Sequence, residues 1–346
     1  MGNDEKAGEM NRRVVYHFAR KEKQLFDGLE LIHRPKPNAS PGHAIVRLTM
    51  RPVPPLDTFG HFSFESVEEL RVNGIVPGCE GCGVVDEIGE GVTKWKKGDR
   101  VVPIHLLSKH FFGKGEGAWQ DFMEFEEDEL LLIPDTVSDE WACQLSNVWS
   151  TYILLSEEFP VPPGEYILQT GASSALGRQM IQYAKHLGIK TINAVRMEEQ
   201  KEELKALGAD EVINISKEDL RAKVMEITGG KGVHCAFDIV GGEISQIVAA
   251  CVKDECSYVV LGEYGGHYVT ISLDELYRKV RVMFINTDDT EAVKKNLLQT
   301  TNIVWRLLED KVIQPQVRKK FALTEYEAAI TEAKKPSTGG KVIIEN

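Results

Sequence analysis

Tyr166-Ile167-Leu168-Gln169-Thr170-Gly171-Ala172-Ser173-Ser174-Ala175-Leu176-Gly177, with Arg178 to Leu187 after it, is the stretch whose reading decides the fold. Tyr166 to Thr170 is a short apolar run that reads as a strand. Gly171 to Gly177 is a loop of small residues. Arg178 to Leu187 then carries Met180, Ile181, Ala184 and Leu187 on one helical face, and Gly188 stops the helix. Small residues between a strand and a helix let the backbone approach a pyrophosphate. The helix N-terminus adds free N–H groups and a partial positive charge. Ser173 and Ser174 add hydroxyl donors, with Ala175, Leu176 and Gly177 completing the cradle. Ala175 stands where the dinucleotide fingerprint often has glycine. An ordinary tight turn carries the same kind of letters, so the surroundings must decide.

Downstream, strand and helix patterns alternate. Thr191 to Val195 is a strand, and Glu198 to Leu207 a helix stopped by Gly208. Val212-Ile213 is a strand, and Leu220, Val224 and Ile227 mark the next helix. Val233 to Val240 is a strand, Ile244 to Val252 a helix, and Ser257 to Leu261 a strand. Alternation at this spacing builds right-handed βαβ units around a parallel sheet. The second strand ends at Val195-Arg196, about 20 residues after the loop, where this kind of fold reads the adenosine ribose. An acid there accepts the ribose hydroxyls of NAD. Arg196, with Lys201 nearby, instead suits a 2′-phosphate, so NADP(H) is favoured. A solvated arginine at a strand end is the plainer alternative.

Upstream, residues 14 to 150 are β-rich, with frequent Gly and Pro turns. Ala44, Val46, Leu48 and Met50 share one face of a strand, and Gly81 to Ile88 reads as another. Short strands of this kind suggest a partly open barrel. The tail is mixed: a helix at 291–309, a strand near Phe321, a helix Glu325 to Ala333 and a final strand Lys341 to Ile344.

The chain has 346 residues and a net charge of −12, which argues against nucleic acid as a main partner. Its length suggests two domains. No apolar stretch reaches the roughly 18 residues of a membrane span. Six scattered cysteines read as reduced thiols in an intracellular compartment. The cytoplasm is expected, with the mitochondrion open if a presequence has been removed.

Four segments together resemble the medium-chain dehydrogenase/reductase superfamily over nearly the full chain. They are Pro77 to Val85, Gly89 to Val101, the small-residue loop with Leu207-Gly208-Ala209-Asp210 and Phe237 to Gly242, and Gly339 to Ile343. The resemblance implies a Rossmann-type doubly wound sheet at 151–299. A β-rich, partly open GroES-like catalytic barrel would be formed by 1–150 plus 300–346, with the active site in the cleft. It also implies a homodimer joined through cofactor-domain strand edges, acting on a small-molecule substrate.

Zinc-using members take ligands at positions matching Pro54, Cys79 and Asn147 here, and only Cys79 would serve. Catalytic zinc needs three protein ligands, so no metal is expected. Cys79 and Cys82 form a Cys-x-x-Cys pair, but no second pair completes a Cys₄ site. In a strand their side chains would point to opposite faces, as structural thiols do. The zinc-free branches reduce quinones or activated C=C bonds with hydride from the nicotinamide.

Asn147-Val148-Trp149-Ser150-Thr151-Tyr152 is similar to a segment of the 2-enoyl thioester reductases, which would put Asn147 and Ser150 near the nicotinamide. A helix start capped by Ser150 is the competing reading. Those reductases carry a tyrosine acid after a Pro-x-Asp segment, yet Pro55-Leu56-Asp57 is followed by no tyrosine. His61 has a suitable pKa for a proton donor, or is merely exposed. Phe59, Phe62 and Phe64 line a pocket or belong to the core. Val240, Gly262 and Tyr264, at the ends of later strands, are expected beside the cofactor, with a glycine-rich surface turn as the other reading of the Gly262-to-Gly266 loop; Phe284 joins them by family analogy. Three functions stay open: an NADPH-dependent enoyl or enone reductase, a quinone reductase, and a nucleotide-binding sensor or interaction protein with little catalysis.

Overall fold

A computed structural model describes residues 9–16, 28–54, 74–104, 106, 115–285, 291–336 and 339–346. The chain divides into two compact units. One comprises Met1–Leu145, Val317–Pro336 and Lys341–Asn346; the other comprises Ser146–Gln316 and Ser337–Gly340.

The first unit begins with the antiparallel pair β1 (Met10–Tyr16) and β2 (Leu29–Pro35). Then come β3 (His43–Pro52), β4 (Cys82–Ile88), β5 (Arg100–Pro103), β6 (Phe122–Glu126), β7 (Leu130–Leu132) and the short helix α1 (Asp139–Ala142). β3 was expected to bury one face. Ala44, Val46 and Leu48 do lie inside, but Ile45 is equally buried. The physical reason is pairing on both edges together with two register shifts against β4, at Ile45/Val46 and Leu48/Met50. Such bulges re-aim side chains. Cys79 lies before β4, in a bend rather than in a strand, so the strand argument for the two thiols fails. Both are nonetheless buried, and neither forms a disulfide.

Along the second unit run α2 (Leu145–Tyr152), a π-helical turn at Ile153–Glu158, β8 (Tyr166–Gln169), α3 (Ala175–His186), β9 (Lys190–Val195), α4 (Glu199–Leu207) and β10 (Glu211–Asn214). They continue with α5 (Leu220–Ile227), β11 (Val233–Asp238), β12 (Gly241–Gly242), α6 (Ser245–Ala250) and β13 (Val252–Val260). β14 (Gly266–Val269), α7 (Leu273–Tyr277), β15 (Arg281–Phe284) and α8 (Glu291–Glu309) complete it. Six strands form a parallel sheet in the order β10-β9-β8-β11-β13-β15. The winding reverses between β8 and β11, so the sheet is doubly wound. Leu168, Ile192, Ala236, Val248 and Tyr258 belong to one buried cluster of this unit. Ala172, Ile181 and Leu204 belong to another.

Two boundaries differ from the expected ones. α3 starts at Ala175, three residues early, because the Ser174 side chain caps it by accepting from the Gly177 N–H. β13 starts at Val252 rather than Ser257. Glu255 adopts a φ of 61° and gives its N–H to the Arg278 carbonyl, while the pairing with β11 shifts between Val233 and Cys235. A bulged strand start therefore replaces the end of the expected helix.

The last elements return to the first unit: β16 (Val317–Ala322), α9 (Tyr326–Ala333) and β17 (Lys341–Glu345). β17 lies between β16 and β3 in a sheet ordered β16-β17-β3-β4-β5-β7, with β6 also on β3. Arg51, fully buried on β3, donates to the carbonyls of Leu48, Ala118 and Gln120 and to the Asn346 side chain. Desolvation lowers its pKa to about 10, so it stays charged at neutral pH. Val53, Trp119, Phe321, Ile330 and Ile344 pack in one core of this unit.

Candidate cofactor site

The candidate residues of the second unit line the C-terminal ends of adjacent parallel strands, in strand order. Arg196 follows β9, the loop from Gly171 follows β8, Val240 follows β11, Gly262 and Tyr264 follow β13, and Phe284 ends β15. A doubly wound sheet binds ligands at this edge, next to the point where the winding reverses.

Two glycines of this edge have no room for a side chain, Gly171 because the Ile239 side chain stands there and Gly262 because the Ile239 backbone does. Gly171 has a φ of +57°, and a Cβ there would lie 2.4 Å from the Ile239 Cδ1. A Cβ on Gly262 would lie 2.6 Å from the Ile239 carbonyl oxygen. Backbone without a side chain is therefore left at Gly171, after β8, and at Gly262, after β13. Above it, the Ala175 and Leu176 amides lie in the first turn of α3, where no intrahelical acceptor exists.

The loop is held from behind by polar side chains that the sequence reading did not single out. Gln200 donates to the Ser173 hydroxyl at 2.9 Å. Arg178, almost fully buried, donates from Nε to the Ser173 carbonyl at 2.9 Å. Gln169 donates to the Gly177 carbonyl at 3.0 Å and to Asn193 at 2.6 Å. Both serine hydroxyls expected to face a phosphate thus already act as acceptors inside the loop. The available signal was a polar residue inside an apolar strand pattern, such as Gln169 and Asn193, because a buried amide must find a partner.

A second polar knot fixes the β11 end. Asp238 is fully buried. Its Oδ1 accepts from the Thr170 hydroxyl at 2.5 Å, the Val240 N–H at 2.8 Å and the Gly241 N–H at 3.1 Å. Its Oδ2 accepts from the Tyr258 hydroxyl at 2.7 Å. Burial, with the carboxylate beside it, pushes the Tyr258 pKa up, so that hydroxyl stays protonated and keeps donating. Val240 in turn accepts from the Gly265 N–H through its carbonyl. Two loops are therefore locked to one carboxylate.

Arg196 is exposed at the end of β9. Its carbonyl accepts from the Ser216 hydroxyl, and its guanidinium makes no hydrogen bond or ion pair with any described residue. Lys201 is engaged: its ammonium lies 2.7 Å from Glu218 and 3.3 Å from Glu198. These carboxylates hold its pKa above the ordinary value. Tyr264 and Phe284 are exposed. Asn147 and Ser150 are half-buried on α2. Ser150 sits deep within that helix, so the cap reading of it is incorrect. His61, with Phe59, Phe62 and Phe64, lies outside the described residues. Among those described, no group of three or more His, Cys, Asp or Glu side chains is arranged to hold a metal ion.

Residues 40–135 match the alcohol dehydrogenase GroES-like domain, and residues 175–300 match the family described as zinc-binding dehydrogenase. The mitochondrial enoyl-[acyl-carrier-protein] reductase of Caenorhabditis elegans is 30% identical, over 72% of this chain and 70% of that protein. Its counterpart from Dictyostelium discoideum is 27% identical, over 80% and 79%. The structure of a quinone oxidoreductase from Pseudomonas syringae superposes with a TM-score of 0.82 at 26% identity, covering 97% of this chain and all of that one. The chain belongs to the zinc-independent branch of the medium-chain dehydrogenase/reductase superfamily, and its two units carry that superfamily's GroES-like and Rossmann-type folds. No helix among the described residues is long and apolar enough to cross a membrane.

Proposed function

We propose that this chain is an NADP(H)-dependent reductase that delivers hydride, without zinc, to an activated C=C bond of an enoyl thioester or enone. The observation that carries the cofactor choice is Arg196: an exposed guanidinium, engaged by no described residue, stands at the strand end where an NAD-specific fold places an acid. The bare backbone at Gly171 and Gly262 and the open first turn of α3 fit a dinucleotide laid across the sheet edge.

In this reading the Ala175 and Leu176 amides donate to the pyrophosphate, and Ser174 keeps its hydroxyl proton for the same anion while its oxygen caps α3. Arg196 binds the 2′-phosphate. Val240, Gly262, Tyr264 and Phe284 border the nicotinamide half, with the loop of Val240 held by Asp238. When bound, the nicotinamide supplies the hydride. Asn147 and Ser150 orient the substrate end from α2. Pro54 has no side-chain donor and the Asn147 amide is a poor zinc ligand, in keeping with chemistry that needs no metal. Enoyl thioester reduction is favoured by the 30% identical relative; quinone reduction is the second reading, favoured by the structural neighbour at 26% identity.

NADPH oxidation measured against an enoyl thioester, a simple enone and a quinone tests the assignment. Turnover fastest with the thioester or enone is expected. Fastest turnover with the quinone gives the second reading. Tight NADPH binding with no turnover on any of the three would make the chain a nucleotide-binding sensor.

The protein is further proposed to be a homodimer built through β15. The outer edge of β15 pairs with no strand among the described residues. Phe284, which ends β15, is 70% exposed, and on α7, which precedes β15 in the chain, Tyr277 is 81% and Leu273 66% exposed. Monomers keep such edges short, charged or covered, and a second copy of the same edge would extend the sheet and cover these side chains. Cysteines that form no disulfide fit a reducing compartment, and the cytoplasm is the proposed location; a tagged copy imaged in mitochondria would overturn that.

A further inference from the structure

We infer that Arg178 is a positioning residue for the cofactor's pyrophosphate, its charge set by Glu203; this rests on the NADP(H) reading above. Arg178 is the fourth residue of α3 and only 1% exposed. A buried guanidinium is costly unless paired, and here its partners come from three places. Nε donates to the Ser173 carbonyl at 2.9 Å, inside the loop. Nη1 donates to the Gln316 side chain at 2.8 Å, beyond α8. Nη2 lies 2.7 Å from the Glu203 carboxylate on α4, at an angle too poor for a hydrogen bond, so that contact is ionic.

Two consequences follow for an anion at the loop. First, the Ser173 carbonyl is occupied, so its partial negative charge is drawn away from where a phosphate would sit. Second, a full positive charge lies behind the first turn of α3, where the helix end is already positive. Glu203 is about a third exposed, and water screens it more than it screens Arg178. The carboxylate therefore only partly cancels the guanidinium. α4 also reaches the loop a second time, through Gln200 on the Ser173 hydroxyl. The helix that follows Arg196 thus ties the 2′-phosphate end of the site to its pyrophosphate end.

The test is NADPH binding followed by fluorescence titration at low and high salt, with inorganic pyrophosphate as competitor and a melting curve for each protein. Glu203→Gln leaves the buried cation uncompensated. It is expected to tighten both ligands about three- to tenfold and to steepen the salt dependence. Arg178→Gln is expected to weaken both by about tenfold or more, and Arg178→Lys, which keeps the charge without the planar fork, to recover part of the loss. A purely structural role predicts lower melting temperatures and unchanged affinities for both Glu203→Gln and Arg178→Gln. That result, or weaker binding by Glu203→Gln, overturns the inference while leaving the cofactor reading intact. If the unmutated chain binds no NADPH, the reading fails and the inference falls with it.

Discussion

In the proposed reading a single residue, Arg196, carries the cofactor choice, and buried polar side chains hold the strand ends in place. Arg196→Ala is expected to raise the KM for NADPH by about 10- to 100-fold, the worth of a charge-assisted pair, and to leave the KM for NADH nearly unchanged. Equal effects on both in steady-state kinetics would remove the 2′-phosphate from the argument. At Asp238 the expected effect is on stability first. Tyr258→Phe removes one donor and leaves the buried Oδ2 bare, which costs about 1–3 kcal/mol in denaturant unfolding. Asp238→Ala orphans four donors at once and should cost more, while also weakening NADPH binding through the loop of Val240. Much of this was invisible in the sequence. Arg196 could be placed because it follows a strand at a fixed distance from a glycine loop. Arg178, Asp238 and Tyr258 could not, because only the fold brings Arg178 to Gln316, and Asp238 to Thr170 and Tyr258.

Among the elements, the parallel sheet was legible because its strands are apolar and its helices are stopped by glycine, as Gly208 does with a φ of 108°. The start of α3 was misread, since Ala175 to Gly177 look like loop by composition and like helix only once Ser174 is seen to cap them. Ser174→Ala should therefore cost about 1 kcal/mol of stability and weaken NADPH binding, measured by thermal melts with and without the nucleotide; unchanged melts would show the cap to be idle. β1 and β2 escaped notice because a stretch such as Met10-Asn11-Arg12-Arg13 shows little alternation. At β15, the double variant Tyr277→Asp with Phe284→Asp is expected to give monomers by light scattering coupled to size exclusion. Dimers of unchanged stability would rule out this edge as the interface.

For the whole molecule, length suggests two domains and the family resemblance implies bounds of 1–150 plus 300–346 around 151–299. The first unit closes at Leu145 and resumes at Val317. Metal analysis of the purified protein should find far less than one zinc per chain, whereas one tightly held zinc would contradict the branch assignment. The interrupted layout also has a consequence for how the protein is made. β17 lies inside the first unit's sheet, between β16 and β3, so two strands of that sheet are missing until the end of the chain is translated. At ordinary translation speeds, about 200 residues separate β7 from β17, so the nascent barrel waits roughly 10 to 40 s for its strand. The intervening unit is contiguous apart from residues 337–340 and emerges whole in that interval. The later-encoded nucleotide unit is therefore expected to complete its fold on the ribosome before the earlier-encoded unit can complete its own.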